Sequence, residues 1–146
     1  STMEIKDYAT YRQEEVERLY ASVGWTNYTE HPDVLAFAYH HSLCILGAYE
    51  SDVLVGLIRA VGDGASILFI QDIIVHPDYQ RKGIGTALLK EMMQRYANVY
   101  QMELLTDNTE KTVAFYTSLG FVPAEAYNCI GMIKFGEKSC LNKEPP

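Results

Sequence analysis

The stretch from Ile67 to Met93 constrains the fold of this chain more than any other. The apolar run Ile67–Val75 predicts a strand, and Thr86-Ala87-Leu88-Leu89-Lys90-Glu91-Met92-Met93 predicts a helix. Between them lies Gln80-Arg81-Lys82-Gly83-Ile84-Gly85. A strand that passes through a glycine-containing turn into a helix leaves unpaired backbone N–H groups at the helix start, where the positive end of the helix dipole also sits. The two glycines let a ligand approach the main chain with no side chain between. Arg81 and Lys82 add positive charge at the same place. The segment reads as a seat for a pyrophosphate, with the N–H groups from Arg81 to Thr86 as its donors.

The remaining elements follow from local pattern. Met3–Tyr8 predicts a first strand. Thr10 as N-cap with Gln13 three residues on predicts a capping box, followed by Val16, Leu19, Tyr20 and Val23 on one helix face and Gly24 as the stop. Pro32-Asp33-Val34 opens a second short helix. Leu43–Tyr49, Val53–Val61 and Ser66–Val75 predict strands joined by Glu50-Ser51-Asp52 and by Gly62-Asp63-Gly64. Beyond the glycine loop, Val99–Thr106 predicts a buried strand and Thr109–Leu119 a helix ended by Gly120. Phe121–Pro123 and Asn128–Phe135 predict two last strands. One domain over residues 3–136 is expected, with a loose tail at 137–146; pattern alone gives mixed α/β architecture.

The residues Asp72-Ile73-Ile74-Val75-His76-Pro77-Asp78-Tyr79-Gln80-Arg81-Lys82-Gly83-Ile84-Gly85 resemble the acetyl-coenzyme A signature of the GNAT superfamily of N-acetyltransferases. A second block agrees in order and spacing: Asn108, then Ala114-Phe115-Tyr116-Thr117-Ser118-Leu119-Gly120-Phe121. The two blocks lie within residues 72–121, about a third of the chain. The resemblance implies an α/β (α+β) fold with one mixed central sheet of about six to seven strands, flanking helices and a splay at the cofactor strand. It implies acetyl-coenzyme A as cosubstrate, held by Gln80 through Thr86. Ile73, Ile74 and Val75 would pair with the pantetheine arm, and an N–H near Ile74 or Val75 would receive the oxyanion. Asn108 matches the pantetheine-binding asparagine, although read alone it serves equally as a helix N-cap. A local likeness to the arylalkylamine (serotonin-type) branch and its bacterial relatives runs through Arg59-Ala60-Val61-Gly62-Asp63-Gly64 and Gly131-Met132.

Acetyl transfer from a thioester needs a held cofactor, an unprotonated amine, a stabilised oxyanion and a proton for the leaving thiolate. Tyr116 stands where many relatives place the tyrosine near the cofactor sulfur, and a phenol can protonate that thiolate. As a core aromatic it would need no such role. For the base, some relatives carry Glu or His where this chain has Gln71, which accepts no proton usefully. The neighbouring Asp72 is the expected base, provided that a bulge turns it, since strand neighbours face opposite sides. A buried structural carboxylate, or a water chain with no single base, are the other readings. Trp25 and Tyr28 are expected at the acceptor site, able to stack on an aromatic amine or to hold a cation over their faces; packing of the short helices explains them too.

Twelve basic against nineteen acidic residues give a formal charge of −7. Nucleic acid and anionic membrane both call for a basic footprint, so neither is expected as partner. A small-molecule amine is expected, by direct attack in a ternary complex, since neither block contains a cysteine. Protein lysine or N-terminal acetylation, and a non-catalytic acyl-coenzyme A sensor, are the competing readings. The three cysteines lack metal or disulfide spacing, and no histidine has partners at ligand spacing, so no metal is expected. A cytoplasmic address follows from that cysteine usage and from the absence of a visible signal segment. A homodimer, common among relatives, is carried as an expectation.

Overall fold

The computed structural model describes residues 3–137, in two compact units divided after Leu104. The first unit is built on a five-stranded sheet in the order β1 (Met3–Asp7), β2 (Cys44–Glu50), β3 (Val53–Gly62), β4 (Ile67–Val75), β5 (Gln101–Leu104). Strands β1 to β4 run antiparallel in sequence order, and β5 adds to β4 in parallel. A parallel step requires a long crossover. Helix α4 (Ile84–Arg95) supplies it, so the sheet is mixed because one helix intervenes at one point.

Helices cover both faces. On one face α1 (Gln13–Ser22) and α3 (Pro32–His40), with α2 (Thr26–Thr29) between them, bury Val16, Leu19, Tyr20, Leu35 and Tyr39 against Leu54, Leu57 and Ile74. On the other face α4 buries Ile84, Leu88, Leu89 and Met92. Their spacing of four, one and three residues makes one apolar stripe. Gly56 of β3 brings that helix close: a Cβ there would stand 3.0 Å from the Ile74 carbonyl oxygen and 3.3 Å from Ile84 Cγ2. The helix that starts at the glycine loop is therefore seated directly on the strand pair that leads into it.

The expected capping box at Thr10 does not form. Helix α1 begins at Gln13 behind Arg12, with no side-chain cap. Tyr8 does that work from the end of β1: its hydroxyl accepts from the Arg12 N–H at 3.1 Å and donates to Glu15 Oε2 at 2.6 Å. The cap comes from four residues before Arg12, just past β1, rather than from Thr10.

The second unit, from Leu105, contains α5 (Glu110–Ser118) and a 3-10 turn, Ala124–Tyr127. Thr109 caps α5, its hydroxyl accepting from the Thr112 N–H. Gly120, at φ +99°, ends the helix where only glycine is comfortable. The two last strands expected over Phe121–Pro123 and Asn128–Phe135 are absent: among the described residues these stretches join no ladder, and the sheet has five strands rather than six or seven. Ile130 and Met132 stand 70% and 86% exposed, so their alternating apolar pattern covers no core. Strand propensity reflects fit to a paired, half-buried surface, and here the pairing is missing. Of the tail expected at 137–146, only Glu137 lies within the described residues.

Candidate active site

Strand β4 ends at Val75, and His76 leads into a single 3-10 turn, Pro77–Tyr79. His76 Nδ1 accepts from the Asp78 N–H at 3.1 Å, and the Gln80 side-chain amide donates to the Val75 carbonyl at 3.0 Å. These bonds fold the chain back over the strand end. Arg81 then takes φ +64° and Gly83 φ +80°. A non-glycine residue in the left-handed region costs about 1 kcal/mol or more and tends to persist at functional sites.

The N–H groups of Arg81, Lys82, Gly83, Ile84, Gly85 and Thr86 bond to no acceptor among the described residues; the helix ladder begins with Ala87, which donates to the Gly83 carbonyl at 3.0 Å. Successive free N–H groups around left-handed residues form an anion-binding concavity, here at the positive end of α4. The ground before it is open. A Cβ at Gly83 would meet nothing within 4 Å, and one at Gly85 only Val75 Cγ2 at 3.8 Å. Lys82 Nζ lies 5.3 Å from the Tyr79 ring centroid, over its face, which keeps one cation at the loop. The buried Ile84 anchors the turn from below.

Beside the loop the sheet is splayed. β5 pairs with Ile67 through Ile70 only, so Asp72 to Val75 have a ladder partner on the β3 side and none on the β5 side within this sheet. Ile73, Ile74 and Val75, the expected cofactor strand, thus present a free main-chain edge next to the free N–H row. The structure brings these three residues and Gln80 through Thr86 together.

Asp72 lies at a bulge. Arg59 pairs with Asp72 but Ala60 pairs with Ile70, which leaves Gln71 as the extra residue on β4. Directly opposed residues share a face, while Arg59 and Ala60 face opposite sides. Asp72 is therefore turned onto the α1–α3 face and away from the side of Ile70. The bulge that the sequence reading required is present, and the carboxylate it turns is 3% exposed. Asp72 Oδ2 accepts from Arg59 Nε at 2.7 Å and from the Tyr20 hydroxyl at 2.7 Å. Tyr20 has one proton and gives it to Asp72, so the 3.1 Å contact between the Tyr20 and Tyr39 hydroxyls is donated by Tyr39. Arg59 Nη1 also donates to Ser42 Oγ, whose hydroxyl donates to the Ala38 carbonyl. Burial pushes the Tyr20 phenol well above its ordinary value, and the Asp72 charge adds to the shift; burial raises Tyr39 likewise.

Trp25 and Tyr28 gather around the same Tyr20, with ring centroids 6.1 and 5.1 Å from it. Trp25 remains 37% exposed. In the second unit, the N-cap of α5 is Thr109, which leaves Asn108 free of that task. Tyr116 is half-buried between Phe115 and Phe121, at centroid distances of 5.0 and 6.0 Å. Burial raises its phenol above the ordinary value, against a hydrogen bond with Thr106 that lowers it.

Tyr20, Tyr39 and Arg59 escaped sequence reasoning. A signal existed: Arg59 and Asp72 are the charges embedded in two apolar runs joined by one tight turn. Among the described residues no group of three His, Cys, Asp or Glu is placed to hold a metal ion. Cys44 and Cys129 are free thiols.

A turn of unbonded amides thus lies beside a half-paired strand, in a mixed sheet clothed on both faces. A sequence model of the acetyltransferase (GNAT) family matches residues 8–121, and the chain belongs to that family. Residues of the chain are 30% identical over 115 positions to an uncharacterized N-acetyltransferase, ycf52, of Porphyra purpurea. That match covers 74% of this chain and 63% of the relative, so the chain spans about five-eighths of the length of that protein. Among solved structures, a GNAT family acetyltransferase of Streptococcus pneumoniae TIGR4 superposes with a TM-score of 0.84 at 45% identity, covering 94% of this chain and 100% of the other. The PaiA N-acetyltransferase of Thermoplasma acidophilum, solved in complex with coenzyme A, shares the fold at a TM-score of 0.69 and 18% identity, over 84% of this chain and 91% of that one.

Proposed function

We propose that this chain transfers the acetyl group of acetyl-coenzyme A to a primary amine carried by a small molecule, by direct attack in a ternary complex. The observation that carries the reading is the row of free N–H groups from Arg81 to Thr86, set in open space beside the unpaired edge of β4. A diphosphate fits those donors, and an amide-bearing arm fits the edge, adding to β4 as a strand would. The coenzyme A complex of the Thermoplasma acidophilum protein, which has this fold, supports the same ligand here.

In this reading the amine nitrogen attacks the thioester carbonyl carbon, and an N–H near Ile74 or Val75 stabilises the oxyanion. Collapse breaks the C–S bond, and the departing thiolate takes a proton. Tyr116, given that part by its family position, supplies it; its raised phenol pKa keeps the proton in place through neutral pH. Asn108 binds the pantetheine arm. Trp25 and Tyr28 form an acceptor wall, and their open aromatic surface suits an amine with a flat or cationic body. The excess proton of the amine leaves through water, and the Tyr116 phenolate regains a proton from water.

Thiol release from acetyl-coenzyme A, measured with arylalkylamines, polyamines, aminosugars and lysine peptides, tests the reading. Turnover with a small amine is expected. Turnover confined to peptides would move the acceptor to protein, and coenzyme A binding without turnover on any amine would make the chain a sensor.

A further inference from the structure

The Arg59–Asp72 pair occupies the irregular step in the β3–β4 ladder, immediately before the cofactor strand. We infer that Arg59 and Asp72 are positioning residues that hold Ile73–Val75 in register, and that Asp72 is not the base for the amine; the inference rests on the acetyl-transfer reading above. Side chains alternate along a strand, so a one-residue slip past the bulge would exchange the faces of Ile73, Ile74 and Val75. The free edge that is to meet the pantetheine arm would then offer different groups at each position.

The polar cluster opposes that slip. Arg59 is 5% exposed and Asp72 3% exposed, and a shifted register would leave a buried guanidinium without its carboxylate, a change with a large cost. The lock reaches beyond the two strands. Tyr20 of α1 donates to the same Asp72 oxygen, Tyr39 of α3 donates to Tyr20, and Ser42, just past α3, accepts from Arg59. Helices α1 and α3 and the loop after α3 are thereby fastened to the bulge, and with them the segment that carries Trp25 and Tyr28. Asp72 Oδ2 already accepts from Arg59 and Tyr20 inside this cluster, and the residue is only 3% exposed. A base for an amine arriving from solution has to reach that amine directly or through one water.

The experiment compares wild type with Asp72→Asn, Arg59→Gln, their double variant, Arg59→Lys and Tyr20→Phe. Coenzyme A affinity is read by calorimetry, and kcat and KM are read across pH, with thermal unfolding as the check on folding. Each of Asp72→Asn and Arg59→Gln should weaken coenzyme A about tenfold, and the double variant should be no worse than either, because partners in one network do not add. Arg59→Lys should recover part of the affinity, and the pH–rate inflection should stay at its wild-type position throughout. Wild-type coenzyme A affinity in Asp72→Asn, with low kcat and a vanished inflection, would overturn the inference and make Asp72 the base. Should the charge variants fail to fold, Tyr20→Phe decides: about threefold weaker coenzyme A binding with the inflection kept supports the lock, and unchanged affinity overturns it. A wild-type protein that binds no coenzyme A removes the acetyl-transfer reading, and the inference with it.

Discussion

Two polar regions sit close together along β4 and treat their hydrogen bonds in opposite ways. The loop from Arg81 to Thr86 leaves its N–H groups unbonded in open space. The cluster of Tyr20, Tyr39, Arg59 and Asp72 is buried and bonded within itself. Polar groups removed from water need partners, so the satisfied cluster is stable without a ligand. Donors at an exposed helix start can wait for one. The contrast separates the part of the site that takes a ligand from the part that fixes where the ligand will lie.

The sharpest way to break this contrast is Gly85→Glu, which puts a carboxylate where the diphosphate is to sit. Coenzyme A binding should fall by about a hundredfold or more, since like charge and lost space act together; calorimetry at near-wild-type affinity would show that the loop is not the anion seat. Next in size is Tyr116→Phe. Turnover should drop about a hundredfold, the usual contribution of a positioned acid, while coenzyme A affinity holds. Steady-state kinetics beside direct binding separates the two, and wild-type turnover would take Tyr116 out of the mechanism.

Gly56→Ala probes how the loop is carried. The added Cβ would press on the Ile74 carbonyl and on Ile84, and overpacking of this kind costs about 1–3 kcal/mol. Urea denaturation should register that loss, with coenzyme A binding weakened alongside because α4 is lifted from its strand. The smallest effect concerns the closed cluster. The Tyr20 and Tyr39 phenols are raised in the folded protein, so their contribution is full below the ordinary tyrosine range and is lost as pH rises beyond it. Above about pH 10, stability should decline by up to about 1.4 kcal/mol per pH unit for each such group. Denaturation curves from pH 8 to 11 check this, and Tyr20→Phe should flatten the decline.

The open region was legible in the sequence and the closed one was not. Gly83, Gly85 and the helix after them are neighbours in the chain, so their geometry follows from local rules. The fit of Ile73–Val75 beside the loop followed from the family resemblance. The bulge at Gln71 depends on how β3 and β4 register, which no local window contains. Asp72 could be singled out, and the need for a bulge could be stated, but its partners Arg59 and Tyr20 come from 13 and 52 residues away. The same limit explains the stretch Asn128–Phe135, whose alternating pattern promises a strand that joins no ladder among the described residues. Asn108 was ambiguous between cap and ligand, and the cap fell one residue later, on Thr109.

The central claim is that backbone amides of one turn grip a diphosphate. Titration of the isotopically labelled protein with coenzyme A, followed through its amide NMR signals, addresses it directly. The largest shifts are expected at Arg81 through Thr86, with a second set at Ile73 through Val75. Saturable binding that leaves the signals of Arg81 to Thr86 in place would contradict the account.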